Sequence, residues 1–82
     1  MMENDMAENF SLRTLAKGEF ATITEILAEG EMGRRIRDMG LVPGNEVQVV
    51  GRAPLNDPVA LRLKGFTLTL RNNEADYIFV RK

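Results

Sequence analysis

Residues 59–70 carry the pattern that most restricts the fold. Val59, Leu61 and Leu63 alternate with Ala60, Arg62 and Lys64, and Phe66, Leu68 and Leu70 alternate with Thr67, Thr69 and Arg71. Successive side chains of a strand point to opposite faces, so each run has one apolar and one polar side. Lys64-Gly65 between the runs supplies a two-residue turn, with glycine able to take positive φ. Further strands are expected over 20–27, 46–50 and 77–80, where β-branched and aromatic residues concentrate between glycine, proline and asparagine joints. Ile26 breaks the alternation begun by Ala21 and Ile23, which points to a bulge near Thr24. Five short strands at this spacing indicate an all-β barrel or sandwich, and a closed barrel leaves no strand edge exposed.

One segment reads as a helix. Met32, Ile36 and Met39 recur at i, i+4 and i+7 and share a face over 32–39, with Arg34, Arg35, Arg37 and Asp38 on the other faces. Eight residues are too few for a helix stable alone, so its Met/Ile face must pack on the sheet. Gly40 is placed to stop the helix with positive φ and Leu41 to fold back behind it, while Pro43-Gly44 suits the centre of a type II turn. Leu12 and Leu15 share a face of a brief helical turn over 11–15, and residues 72–76 read as one round of 3₁₀ helix. The expected core is Ile23, Ile26, Ile36, Leu41, Val47, Val49, Leu61, Leu63, Leu68, Leu70, Ile78 and Val80.

Composition removes several kinds of chemistry. The chain has neither cysteine nor histidine, so disulfides, thiolate or imidazole metal ligands and Ser/His/Asp or Cys/His nucleophile systems are excluded. No metal site, cofactor or catalytic set is expected, and the chain reads as a non-enzyme. No apolar run approaches the ~20 residues that span a bilayer. Residues 1–10 read as an acidic, disordered leader and 11–82 as one small domain. Residues 1–31 hold seven acids against two bases, whereas residues 32–82 hold nine bases against five acids. That asymmetry admits an acidic or phosphate-bearing partner for the C-terminal part.

In order along the chain come a Gly18-led first strand, Arg34-Arg35-Ile36, Asp38-Met39-Gly40-Leu41-Val42-Pro43-Gly44, the Val47/Val49 strand, Ala53-Pro54-Leu55 with Asp57-Pro58, Leu68-Leu70-Arg71, and Glu74-Ala75 before Ile78 and Val80. This series resembles the FeoA family, small cytoplasmic components of bacterial ferrous iron transport. The resemblance runs from about Leu12 to Val80, and its specific part is the segment 34–44. It implies an SH3-like five-stranded barrel with a short α-helix inserted after the first strand. It implies no catalysis and one partner: FeoB, a membrane iron transporter with a cytoplasmic GTPase domain. Location is then expected to be cytoplasmic, at the inner membrane through FeoB and without insertion of the chain itself. An edge strand or the helix face is available to pair copies.

Two segments are the docking candidates. The first is the helix surface of Arg34, Arg35, Arg37 and Asp38, with Leu41 at its end; Arg35 and Asp38, three apart, are spaced to pair with each other. The second is the stiff loop carrying Pro54, Leu55, Asp57 and Pro58, where two prolines present an apolar leucine at small entropic cost. The alternative is a nucleic-acid-binding small barrel, or an SH3-like domain akin to those of DtxR-type metal-dependent repressors. It would use the basic C-terminal part and stack bases on Phe20, Phe66, Tyr77 or Phe79. Their strand positions favour core or half-buried packing, so no nucleic acid is expected.

Overall fold

The alternation over 59–70 forms a β-hairpin in the computed structural model, which describes residues 9–55 and 57–82. β4 (Val59–Leu63) and β5 (Phe66–Leu70) pair antiparallel with Leu63 opposite Phe66 across the Lys64-Gly65 turn. Before them lie β1 (Phe10–Ser11), a 3₁₀ turn (Leu12–Thr14), β2 (Phe20–Ile26), α1 (Gly30–Asp38) and β3 (Glu46–Arg52). After them come α2 (Asn72–Ala75) and β6 (Ile78–Arg81). All pairings are antiparallel, in the order β1-β6-β2-β3-β4-β5. The helix enters after the main first strand, as expected.

Among the described residues the sheet has six strands where five were expected, and β1 and β5 stand at its edges, so the barrel does not remove strand edges as expected. Phe10 and Ser11 pair with Val80 and Phe79; two residues are too short to show an alternation. Phe10 is therefore part of the sheet and not of the leader, whose first eight residues lie outside the described ones. α1 starts at Gly30, two residues earlier than the Met32 expected from the apolar stripe, because a stripe marks only residues that touch the core. α2 is α-helical and not 3₁₀: Ala75 donates to the Arg71 carbonyl at 3.0 Å and Asp76 to that of Asn72 at 2.9 Å. The pairing of β2 with β6 shifts register between Ile23 and Glu25, the bulge foreseen at Thr24, whose hydroxyl donates to the Phe79 carbonyl at 3.1 Å.

Ile23, Ile36, Leu41, Val47, Val49, Leu61, Leu63, Leu70, Ile78 and Val80 are buried together, joined by Leu12 and Leu15 from the N-terminal turn. Ile26 and Leu68 are only half-buried. Ile26 lies past the bulge, where its strand face has rotated, and Leu68 lies on the edge strand. Three aromatics expected inside or half inside are exposed: Phe20 at 54%, Phe66 at 49% and Tyr77 at 44%. Phe20 pairs with Gln48 on the outer side of the sheet, Phe66 closes the hairpin at the rim, and Tyr77 falls in the turn before β6. Phe79 is half-buried as expected.

One surface carboxylate is tuned by the fold. Glu19 accepts from the Ala16 N–H at 2.7 Å and pairs with Lys82, and both interactions hold its pKa below the usual carboxylate range. Its stabilising effect is complete above the unfolded-state pKa and disappears as pH falls through the lowered folded-state value.

Candidate functional site

The first candidate surface rests on α1. Its nine residues begin with Gly30, whose φ of 61° suits glycine, and include Gly33, which costs about 1 kcal/mol of helix propensity, so packing must hold it. Ile36 is fully buried, and Met32 and Met39 pack half-buried against the core. Gly33 permits a close approach: a Cβ there would sit 2.5 Å from the Ala28 carbonyl oxygen.

The helix ends in a Schellman motif. Gly40 has φ of 94°. Its N–H donates to the Arg37 carbonyl at 2.9 Å, and the Leu41 N–H donates to the Ile36 carbonyl at 3.3 Å. Asn45 seals the end, its side-chain amide donating to the Gly40 carbonyl at 2.7 Å. The Pro43-Gly44 turn closes through Asn45 N–H to Val42 O at 3.2 Å. A Cβ on Gly40 would meet only Phe66 and Leu63 at ordinary contact distances, so conformational strain dominates the cost of replacing it. Gly40→Val is expected to lose about 1–2 kcal/mol, read by urea denaturation. A neutral result would show that the helix does not depend on this stop.

The charged residues of α1 divide into two groups. Arg34 bonds Glu31 at 2.8 Å in an exposed pair, which contributes little. Arg37 and Asp38 are exposed and make no ion pair among the described residues. The expected Arg35–Asp38 pair does not form. Arg35 reaches Glu74 on α2, whose side chain is only 7% exposed. Glu74 also accepts the Arg71 N–H at 3.1 Å, as an acid at the third helical position does. Arg35 is therefore chiefly a clamp between helices. Leu41, placed on the docking surface from sequence, has no exposed area; the helix stop turns it into the core.

The second candidate also leans on α2. Asp57 accepts the Asn72 N–H at 2.9 Å, and the Pro58 carbonyl accepts the Ala53 N–H at 3.0 Å. Both contacts shape the loop, with Asp57 exposed and Pro58 half-buried. Pro54 and Leu55 remain outside, Leu55 at 89% exposure. Of the expected docking residues Leu41 alone is fully buried; Arg34, Arg35, Arg37, Asp38, Pro54, Leu55 and Asp57 stay exposed and Pro58 half-buried, with Arg34, Arg35 and Asp57 engaged in contacts within the chain.

α2 ties these parts together, and its role was missed from sequence. Arg52 donates to the Arg13 and Leu15 carbonyls at 2.8 and 2.7 Å and reaches Asn72 at 3.5 Å. Ser11 donates to the Ala75 carbonyl at 3.2 Å, and Arg13 bonds Asp76 at 3.2 Å. The signal was present in Glu74, an acid three residues after the helix-starting Arg71.

No group of three or more potential metal-ligating acids occurs among the described residues, and no helix among them is long and apolar enough to cross a membrane. The surface offers charged and apolar contacts for another macromolecule.

Comparison with known proteins gives the architecture a lineage. An FeoA-like protein from Clostridium acetobutylicum matches with a TM-score of 0.84 at 38% identity, over 90% of this chain and 86% of that one. The zinc complex of Stenotrophomonas maltophilia FeoA, described as a procaryotic SH3 domain protein, matches with a TM-score of 0.76 at 27% identity, over 87% of this chain and 88% of that one. A manganese-dependent transcriptional repressor shares the fold alone, at 20% identity and a TM-score of 0.82, over 90% of this chain and 41% of that one. Among curated proteins, the Fe(2+) transport protein A/Fe(2+) transporter FeoB fusion protein of Porphyromonas gingivalis is 38% identical over 69 residues. Those residues are 84% of this chain and 8% of the fusion protein, so the chain spans a small part of that relative's length. The fold is SH3-like, and the FeoA domain model matches residues 10–82: the chain belongs to the FeoA family.

Proposed function

We propose that this chain is a non-enzymatic accessory protein of ferrous iron uptake that binds the cytoplasmic GTPase side of an FeoB transporter. The observation that carries the reading is the fusion relative, in which an FeoA module and FeoB share one polypeptide. A tether of that kind holds two surfaces at high effective concentration and is useful when they engage each other. The outward Arg34 and Arg37 on α1 supply charge, and Leu55, exposed beside Arg13, Arg52 and Asn72, supplies an apolar contact for engaging a partner. Binding would keep the chain in the cytoplasm at the inner membrane. A bias on GTP turnover requires different affinities for the two nucleotide states.

The test is calorimetric titration of the 82-residue chain against the cytoplasmic domain of FeoB from the same organism, with GDP and with a non-hydrolysable GTP analogue. Saturable one-to-one binding is expected. No saturable binding in either nucleotide state would refute the reading.

A further inference from the structure

Among the described residues β5 is an edge strand, with β4 as its one partner in the sheet. No backbone hydrogen bond outside that ladder reaches residues 66–70 among the described residues. The pairing has Leu63 opposite Phe66 next to a two-residue turn, then Leu61 opposite Leu68 and Val59 opposite Leu70. In such a hairpin these are the pairs that exchange hydrogen bonds. The N–H and C=O groups of Thr67 and Thr69 therefore point away from β4. Both threonines are exposed.

Proteins usually blunt an edge like this with bulges, prolines or charges along it. Here Phe66-Thr67-Leu68-Thr69-Leu70 is uncharged, and its pairing with β4 runs without a register shift. The other edge, β1, has only two residues. The charges lie around β5 instead. Arg62, opposite Thr67, and Lys64 and Arg71 at the two ends have no ion pair among the described residues. On the inner side, Phe66 is exposed at the rim beside Gly40, and Leu68 is half-buried.

We propose that the β5 edge is a docking site for an extended segment of a partner protein that carries acidic side chains at its ends and adds as a seventh strand. Its backbone bonds to Thr67 and Thr69, alternate apolar side chains cover Phe66 and Leu68, and acids meet Lys64 and Arg71. Charge argues against a second copy as occupant. Antiparallel self-pairing centred on Leu68 would place Arg71 opposite Gly65 of the copy, beside that copy's Lys64, once at each end. The site uses none of the residues of the α1 face and does not depend on FeoB being the partner.

The probe is the capped peptide Glu-Val-Thr-Val-Thr-Val-Glu, titrated into the ¹⁵N-labelled chain with amide shifts and hydrogen exchange as readouts. Shifts centred on residues 65–71 and slowed exchange at the Thr67 and Thr69 amides are expected. Methylating the amide nitrogens of the two peptide threonines removes the donors facing β5 and should weaken binding roughly tenfold or more. A lysine-ended version should not bind. Thr69→Pro deletes an N–H that no ladder bond uses, which an edge strand tolerates; it should leave the remaining spectrum in place and abolish binding. If that variant fails to fold, the methylated peptide still decides. The proposal is overturned if the methylated peptide binds equally well or the shifts lie elsewhere. It is also overturned if the threonine amides become protected with rising protein concentration and no peptide, or if single-stranded oligo(dT) shifts them while the peptide does not.

Discussion

Ile36→Ala is expected to lower the unfolding free energy by about 2–5 kcal/mol, the range for truncating a large aliphatic side chain in a core. Ile36 has no exposed area, and it is the one fully buried large side chain on α1; Met32 and Met39 are half-buried. α1 carries an internal Gly33 and has no side-chain N-cap bond, so Ile36 is its main apolar anchor. A domain of this size has roughly 4–12 kcal/mol to lose, and the melting temperature should fall by at least about 10 °C. Ile36→Met, which keeps volume, should cost less than about 1.5 kcal/mol. Urea and thermal denaturation of both variants are the check. A loss below about 1 kcal/mol for alanine would show that α1 is not held by this face.

Glu74→Ala is expected to cost about 1–3 kcal/mol, mostly through groups other than the ion pair. Arg35 is 61% exposed, so water screens its attraction to Glu74 and can take over its hydrogen bonds. The Arg71 N–H is less replaceable, because Glu74 accepts it in a half-buried position at the start of α2. Glu74→Gln keeps an oxygen acceptor and should lose less than the alanine variant. The functional consequence is larger than the energy. With Glu74 gone, α1 keeps its apolar seat but loses its tie to α2, and Arg34 and Arg37 are displayed less rigidly. Amide shifts confined to residues 30–41 and 71–77 are the expected signature. A spectrum unchanged along α1 would show that the clamp does not set its position.

Much of this architecture was legible because the strands obey a strict period of two and the turns carry their own chemistry. Val47, Val49, Leu61, Leu63 and Leu70 fell on the core side, and Gly40, Pro43 and Gly44 punctuated the helix as their backbone preferences require. What escaped was not periodic. Phe10-Ser11 is too short to alternate, and its pairing depends on a partner some seventy residues away. The bend after Thr24 turned Ile26 partly outward, and an edge position left Leu68 half-covered. The docking surface was legible only as residue types. Spacing suggested that Arg35 would find Asp38, whereas the fold brought Glu74 from another element and buried it. Leu41 and Asp57 look alike from sequence as turn residues near a surface, yet one lies inside the core and the other caps α2. Tertiary contacts of this kind leave no trace in local spacing.

We propose that α1, seated by Ile36 and clamped through Arg35 and Glu74, presents Arg34 and Arg37 to FeoB. Charge reversal separates these roles, because among the described residues Arg34 pairs only with exposed Glu31 and Arg37, which lies over Gly33, makes no ion pair. The decisive measurement is the affinity of the Arg34→Glu, Arg37→Glu double variant for the FeoB cytoplasmic domain, with its melting temperature recorded alongside. Binding should weaken roughly tenfold or more and depend less on salt, with the melting temperature within a few degrees of the parent. An unchanged affinity in the folded variant would contradict the account.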